Sequence, residues 1–292
     1  MFADDSIKAA QLGGHSNNRK LLSIHKGMPT SDGAGVKLTR IIGSNSLSML
    51  DPFLLLDCFE SDNPDDYIAG FPTHPHRGFE TVTYLLNGQM RHRDSKGNEG
   101  VIEAGGVQWM TAGKGILHSE MPEQSQGLLK GFQLWVNLPG SAKMMEPSYQ
   151  EFNAAQVPLE KSDIGYQVRV IAGSTDLGTV GPVINPFSDP VYMDVNLLAQ
   201  HSFKQQLVSD HAAFIYVISG QLDIGGEQLS ANQLGILSEG EKVLVKGRTD
   251  SQFLLIAAKQ MKEPVARYGP FVMNTQQEIE QAFADYRQGK FA

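Results

Sequence analysis

Two short motifs in the first half of the chain carry side chains that commonly bind metal ions. The segments FPTHPHRGFETV and GKGILHSEMP supply two pairs, His74 with His76 and His118 with Glu120, and one residue separates the members of each pair. Successive side chains on a β-strand point to opposite faces, so both members of a pair face the same way. We expect two such strands, packed face to face, to direct these four side chains at one ion.

The chemistry of this ligand set predicts which metals would bind. Three neutral imidazoles and one carboxylate suit Fe, Mn, Ni, Cu or Zn, whereas Mg and Ca prefer shells made of oxygen atoms. Four protein ligands on an ion that accepts five or six leave one or two positions for water, a substrate or O2. An open position is typical of a catalytic site rather than a structural one.

Short apolar runs separated by Gly, Asn, Asp and Pro recur from about residue 21 to residue 260, for example VKLTRII, TVTYLL, FQLWVNL and FIYVIS. This pattern is typical of an all-β sandwich or barrel. Helical periodicity is clear only near the C-terminus, where Asn274 or Thr275 would cap the segment TQQEIEQAFADYRQGK. The apolar face of that helix would contain Ile279, Ala282, Phe283 and Tyr286.

An internal duplication divides the chain into two similar halves. ETVTYLLNGQ near residue 80 resembles AFIYVISGQLDIGG near residue 212, and Tyr84 and Gly88 match Tyr216 and Gly220 at a constant offset. Each segment is an apolar run that ends in a glycine turn. The duplication therefore predicts two β-domains joined end to end.

The histidines outside the two motifs are predicted to be ordinary surface or core residues. At the same offset, the positions of the four ligands in the second half are occupied by Gln206, Val208 and residues near Val245 and Gly247. His201 and His211 lie ten residues apart without a matching carboxylate pair. His92 belongs to the charged segment MRHRD, and we expect it to be solvated at a hairpin tip. One metal ion per chain is predicted.

Charge and composition argue against several classes of protein. A formal net charge of -8 without a basic run disfavours binding to nucleic acid or anionic lipid. No apolar run reaches the roughly 18 residues that a membrane span needs, and the N-terminus lacks a signal peptide pattern. We therefore expect a cytoplasmic protein whose N-terminal residues form a loosely packed arm. The single Cys58 cannot form an intrachain disulfide and is expected to pack as a small apolar side chain.

Longer motifs along nearly the whole chain resemble the pirin family of the cupin superfamily. They are DPFLLLD, HPHRGFETVTYLLNG, QWMTAGKGILHSEMP, FQLWVNL, MMEPSYQEF and EPVARYGPFVMNT. The resemblance implies an all-β bicupin, with two jelly-roll β-barrels and a short C-terminal helix. It implies a metal-binding barrel over residues 1–145 and a barrel without metal over residues 146–292. The implied cofactor is one divalent transition metal, with Fe(II) expected and Mn, Ni, Cu and Zn as alternatives.

The same resemblance bears on the carboxylate ligand. In a common cupin pattern the carboxylate follows the H-x-H pair by four residues, which is the position of Glu80. Pirins instead take the carboxylate from the second motif. Carried over to this sequence, the pirin pattern implies His74, His76, His118 and Glu120 as ligands. Glu80 remains the rival, because the parity of a strand would place it on the same face as the first pair.

The pirin resemblance also implies an activity. Several members act as quercetin 2,3-dioxygenases, in which a flavonol binds the metal through its 3-hydroxyl and O2 opens the heterocycle with loss of carbon monoxide. Glu120 would be the catalytic residue that takes the proton of that hydroxyl. The partners would be a small aromatic substrate and O2. The side chains expected to form an apolar wall, although core packing is the commoner role of each, are Phe71, Phe79, Trp109, Met110, Met121 and Phe132.

A second function from another class also follows from the resemblance. The resemblance implies that pirins bind transcription factors in animals and central metabolic enzymes in some bacteria. The redox state of the metal would then change the surface that binds the other protein. Such a chain would be a regulatory protein that binds another protein. O2 uptake with quercetin that disappears on removal of the metal distinguishes the enzyme from the regulator.

Overall fold

β-Strands dominate residues 17–291, which are the residues that the computed structural model describes. The predicted N-terminal arm lies largely outside this range. The seven-stranded sheet of the first barrel contains, in spatial order, β12 (Ser148–Phe152), β9 (Val107–Thr111), β6 (Phe79–Asn87), β11 (Leu129–Asn137), β4 (Phe53–Ser61), β3 (Val36–Ile42) and β2 (Met28–Asp32). A four-stranded sheet packs on it and contains β5 (Phe71–His76), β10 (Ile116–Pro122), β7 (Gln89–Asp94) and β8 (Glu99–Glu103).

The second barrel repeats this arrangement strand for strand. Its seven-stranded sheet has the order β1 (Leu21–Lys26), β20 (Gln233–Leu237), β17 (Ala212–Ser219), β22 (Ser251–Ala258), β15 (Val191–Leu197), β14 (Tyr166–Ala172) and β13 (Leu159–Ser162). Its four-stranded sheet has the order β16 (Ser202–Gln206), β21 (Lys242–Gly247), β18 (Gln221–Ile224) and β19 (Glu227–Ser230). The matching orders confirm the internal duplication.

Two strands are exchanged between the halves of the chain. β1 comes first in sequence but pairs with β20 of the second barrel, so that Ile24 lies opposite Gly235. β12 follows residue 145 but pairs with β9 of the first barrel, so that Gln150 lies opposite Trp109. The domain boundary at residue 145 stays a prediction, and the chain crosses it in both directions.

The two seven-stranded sheets pack face to face through a shared apolar core. Alternate residues of β6, among them Val82 and Tyr84, point into this core and meet side chains of the second barrel. The Tyr84 hydroxyl donates to Asp194 Oδ2 at 2.7 Å, which satisfies both of these buried polar groups. Cys58 is buried in the same core, where burial raises the pKa of its thiol to about 12. An inert, packed thiol is what the sequence predicts.

The C-terminal segment returns to the first barrel. The hairpin of β23 (Ala266–Tyr268) and β24 (Phe271–Met273) leads into helix α1 (Gln276–Arg287). Thr275 caps the helix in a capping box with Glu278, which confirms one of the two predicted caps. α1 packs its apolar face, with Ile279 and Ala282 buried, against β24 and the chain end. In residues 17–291 no helix is long and apolar enough to cross a membrane.

Candidate metal centre

Three of the predicted ligands converge in the four-stranded sheet of the first barrel. β5 and β10 are hydrogen-bonded neighbours rather than facing strands, and His118 lies directly opposite His74 in their antiparallel register. Nε2 of His74 is 2.9 Å from Nε2 of His76. One nitrogen from each of the three rings lies within 4.8 Å of the other two. A single ion placed among them would be in reach of all three imidazoles.

The protonation state of these rings and their unpartnered nitrogen atoms suit the binding of a metal. Burial, followed by the charge of His74, lowers the pKa of His76 well below its usual value, and burial does the same for His118. Both rings are therefore neutral near pH 7, which is the form that binds metals. Both ring nitrogens of His118 are buried without a hydrogen-bond partner among the described residues. Such unsatisfied nitrogens are costly unless a ligand engages them, and the donor set fits a transition metal.

Glu120 lies in the same cavity but outside the tight group of ring nitrogens. A shift in the register of β10 separates it from His118, and its side chain is buried. Thr83 Oγ1, from β6, donates to Glu120 Oε1 at 2.7 Å. Burial raises the pKa of Glu120, while the bond from Thr83 and the nearby His74 oppose that rise. The role of Glu120 as a fourth ligand stays a prediction.

Glu80 is directed away from the histidines, so the parity argument that kept it as a rival is wrong. The chain turns at Arg77 and Gly78 between β5 and β6, and these two strands belong to different sheets. Glu80 accepts hydrogen bonds from Thr111 at 2.8 Å and from Asn185 at 2.5 Å. Burial raises the pKa of Glu80 to about 7. Its carboxylate belongs to the contact between the barrels.

A glycine turn aims β10 at the site. Gly113 and Gly115 have φ values of 51° and 139°, which residues with a side chain rarely adopt. The two glycines therefore permit the tight turn before His118. Lys114, between them, pairs with Glu146 at the surface. It takes no part in the cavity that the histidines face.

The C-terminal segment packs against β5, the strand that carries His74 and His76. The sequence did not predict this contact. Arg77 follows His76 directly, and its buried guanidinium donates to Asp285 Oδ2 of α1 at 2.8 Å. Arg77 Cζ also lies 4.3 Å from the centre of the Phe291 ring. The backbone carbonyl of Pro270 lies beside His76 and favours its protonated form. These contacts join residues that are far apart in sequence, so no local motif predicts them.

His92 is buried, and the prediction that it is solvated was wrong. It is 5% exposed, lies directly opposite Glu120 on β7, and its Nε2 is 2.5 Å from Glu151 Oε2. The neighbouring arginines made the segment look like a solvent-exposed hairpin tip. The alternation of Met90, His92 and Asp94, all buried, was the signal that places His92 inside.

A cavity of about 600 Å³ opens in front of the site. His74, His76 and Glu120 form one side of it. Its apolar wall is formed by Leu38, Leu55, Phe59, Phe71 and Trp135. A volume of this size accommodates a small aromatic molecule.

Only Phe71, of the six side chains predicted for the apolar wall, lines this cavity. Trp109 and Phe132 point to the other face of their sheet and fill the core between the barrels. Met110 packs in a small separate cluster. Phe79 lies behind the cavity, where its ring centre is 5.0 Å from that of His76. Met121 packs against Gly70 beside the same strand. Core packing, the commoner role that the sequence predicted for each of these side chains, is thus confirmed for Trp109, Phe132 and Met110, because sequence proximity to a ligand does not determine which face of a sheet a side chain occupies.

The equivalent strands of the second barrel build an apolar interior. β16 and β21 direct Phe203, Val243 and Val245 into a buried cluster. His201 is exposed, and the buried His211 lies 3.9 Å from Asp189. Both histidines therefore occupy ordinary surface and core positions, as predicted.

Comparison with known proteins identifies the family. Residues 35–136 match the family model described as Pirin, and residues 192–292 match the Pirin C-terminal cupin domain. A pirin-like protein from Caulobacter vibrioides is 50% identical over 273 residues, which cover 94% of this chain and 99% of that protein. The chain belongs to the pirin family. Human pirin is 43% identical over 267 residues, which cover 89% of each chain.

A solved structure supports the same assignment to the pirin fold. The crystal structure of a quercetin 2,3-dioxygenase from Acinetobacter baumannii superposes with a TM-score of 0.87 at 34% identity and covers 94% of this chain and 99% of that chain. The predicted all-β bicupin with a C-terminal helix is therefore confirmed. The histidine triad lies in the half that matches the Pirin model.

Proposed function

We propose that this pirin is a metal-dependent dioxygenase that cleaves flavonols such as quercetin with O2 and releases carbon monoxide. The observation that carries the proposal is the cluster of three imidazoles at the wall of an open cavity, two of which, His76 and His118, are kept neutral by burial. The relative of known structure from Acinetobacter baumannii, named a quercetin 2,3-dioxygenase, supports it. A structural metal site would be closed by its ligands, whereas this cluster faces solvent-accessible space.

His74, His76, His118 and Glu120 would hold the ion, and Fe(II) is the metal we expect. Mn, Ni, Cu and Zn suit the same donor set. When bound, the ion supplies Lewis acidity, which lowers the pKa of a substrate hydroxyl, and a position for O2. The buried histidines supply neutral ligands without a proton having to leave.

Glu120 is the proposed general base. It takes the proton of the flavonol 3-hydroxyl on its carboxylate, which leaves an electron-rich anion for attack by O2. Burial raises the pKa of Glu120, and this strengthens the carboxylate as a base. Thr83 holds one carboxylate oxygen at 2.7 Å, so the carboxylate keeps a fixed orientation.

The remaining walls of the cavity suit a flat molecule that carries hydroxyl groups. Phe71 and Trp135 contribute aromatic rings to the cavity wall. On the other side, Arg40 donates to both oxygens of Asp57, at 2.9 Å and 2.7 Å, and these polar groups line the cavity. Aromatic walls with a few fixed polar groups are typical of small-molecule sites.

Oxygen uptake with quercetin tests the proposal. We expect the metal-loaded protein to consume O2 and release carbon monoxide in equal amounts, and a chelated sample to do neither. Re-addition of iron to the chelated sample should restore both. No O2 uptake with any of a series of flavonols, in a sample shown to contain metal, would contradict the dioxygenase function. That result would favour the regulatory protein.

A further inference from the structure

The metal cavity is lined by a cation that forms no ion pair with any of the residues that the structure describes. Arg267, on β23, lines the cavity. Its guanidinium donates one hydrogen bond, to the carbonyl of Leu54 at 3.0 Å, and its Cζ lies 4.8 Å from the centre of the Trp135 ring. In the part of the chain that the structure describes, no carboxylate oxygen comes within 4.0 Å of it. Several N–H donors are therefore left for a ligand.

The other arginine of the cavity is already paired. Arg40 binds Asp57 with two hydrogen bonds and Asp32 with a third, at 2.7 Å. Arg267 is exposed to solvent at the cavity, where partial desolvation and then the like charge of Arg40 lower its pKa, despite the opposing influence of Asp57 and Asp32. A positive charge that is undercompensated in this way is stabilised by an added anion.

Trp135 connects this cation to the metal site. One side of the indole carries the Arg267 guanidinium, and the centre of the Trp135 ring lies 5.2 Å from that of His76. An aromatic ligand held at the histidines through one oxygen would therefore extend along Trp135 towards Arg267. The planar fork of a guanidinium matches the two oxygens of a carboxylate or a sulfonate.

We propose that Arg267 binds an anionic substituent of the substrate, so that the site prefers hydroxylated aromatic compounds that carry a carboxylate or a sulfonate to their neutral counterparts. The inference rests on the proposed function for the flavonol scaffold, but it concerns binding and not oxygenation. The anion binds at the end of the molecule opposite the hydroxyl that faces the histidines.

Calorimetric binding under nitrogen tests this inference without turnover. The probes are 3-hydroxyflavone with a carboxylate on its outer phenyl ring and the methyl ester of the same compound, each titrated into metal-loaded protein. We expect the acid to bind about tenfold more tightly than the ester, since an arginine–carboxylate contact is a charge-assisted pair. Arg267→Gln should abolish this preference, and Arg267→Lys should retain part of it. Arg287→Gln, on α1 outside the cavity, is the control and should leave it unchanged.

The alternatives are distinguishable. Equal dissociation constants for acid and ester in the unmodified protein, a preference that survives in Arg267→Gln, or binding of neither probe would each overturn the role of Arg267. A preference for the acid without any O2 uptake would refute the oxygenase and leave the anion site standing. Oxygenation without a preference would do the reverse.

Discussion

At the scale of single residues, the surroundings of two buried glutamates give them different roles. Glu120 lines the cavity, and the Thr83 hydroxyl donates a hydrogen bond to its carboxylate. Glu80 faces the other barrel and is held by Thr111 and Asn185. Two carboxylates that the sequence offered as alternative ligands thus lie in different surroundings, because their strands place them on different faces.

Glu120→Gln tests the base. The amide keeps one oxygen for a metal but cannot accept a proton, so we expect some metal to remain while turnover of quercetin falls by about a hundredfold or more. Steady-state O2 uptake, normalised to metal content, is the measurement. Glu123→Gln, just beyond the same strand and exposed, is the matched control. Full activity of Glu120→Gln would remove this residue from the mechanism.

The convergence of His74, His76 and His118 was predictable because the signal of each histidine motif is local, while their role as metal ligands stays a prediction. Residues two apart on one strand share a face whatever the rest of the fold does. His92 shows the limit of such local reading, since its charged neighbours concealed the inward position that its pairing opposite Glu120 makes plain. Glu80 shows another, because the turn after His76 moves the chain to a second sheet.

At the scale of elements, helix α1 stabilises the strand that carries the first histidine pair. The ion pair of Arg77 with Asp285 is almost completely buried, and the Arg77 backbone bridges to Phe271. Gly78 allows the backbone after β5 to approach β24 closely, because a Cβ at this position would lie 2.0 Å from the carbonyl oxygen of Val272. The last elements of the chain therefore belong to the first barrel in space, although they follow the second barrel in sequence.

Asp285→Asn tests whether the ion pair between Arg77 and Asp285 stabilises this strand. Removal of the carboxylate leaves the buried Arg77 charge without a partner, so we expect the free energy of unfolding to fall by about 3 kcal/mol. Because His76 is the neighbour of Arg77, metal affinity should fall as well, by about tenfold. Urea unfolding and competition with a chelator measure the two effects. Glu280→Gln, on the exposed face of the same helix, should change neither quantity. Unchanged metal affinity in Asp285→Asn would show that the Arg77–Asp285 ion pair does not affect the metal site.

At the scale of the whole molecule, the two barrels are joined by exchanged strands and a common core. The duplication and the strands were predictable, because apolar runs and glycine turns repeat along the sequence. The exchange of β1 and β12 was not, because strand pairing between distant segments depends on register and packing that no single segment encodes. The same holds for the return of α1 to the first barrel.

The contact between the barrels predicts a pH dependence of stability. Glu80 has its pKa raised by burial to about 7 in the folded protein, so the folded state binds its proton more tightly than the unfolded state. Stability from this group is therefore full below about pH 4.5 and is lost as the pH rises through 7, by up to about 3 kcal/mol. Glu80→Gln should flatten the decline, as measured by denaturant unfolding between pH 5 and pH 8.

The control for this experiment is Glu227→Gln, an exposed glutamate in a hairpin of the second barrel. It should follow the pH profile of the unmodified protein. A Glu80→Gln profile as steep as that of the control would mean that other groups cause the decline.

Metal content per chain tests the central claim most directly, namely that His74, His76 and His118 form the metal centre of this pirin. Elemental analysis of the purified protein after iron loading and desalting is expected to give about one ion per chain. His118→Ala should lose the ion, while His201→Ala, an exposed histidine of the second barrel, should retain it. Retention of the full metal content in His118→Ala, or loss of it in His201→Ala, would contradict the assignment.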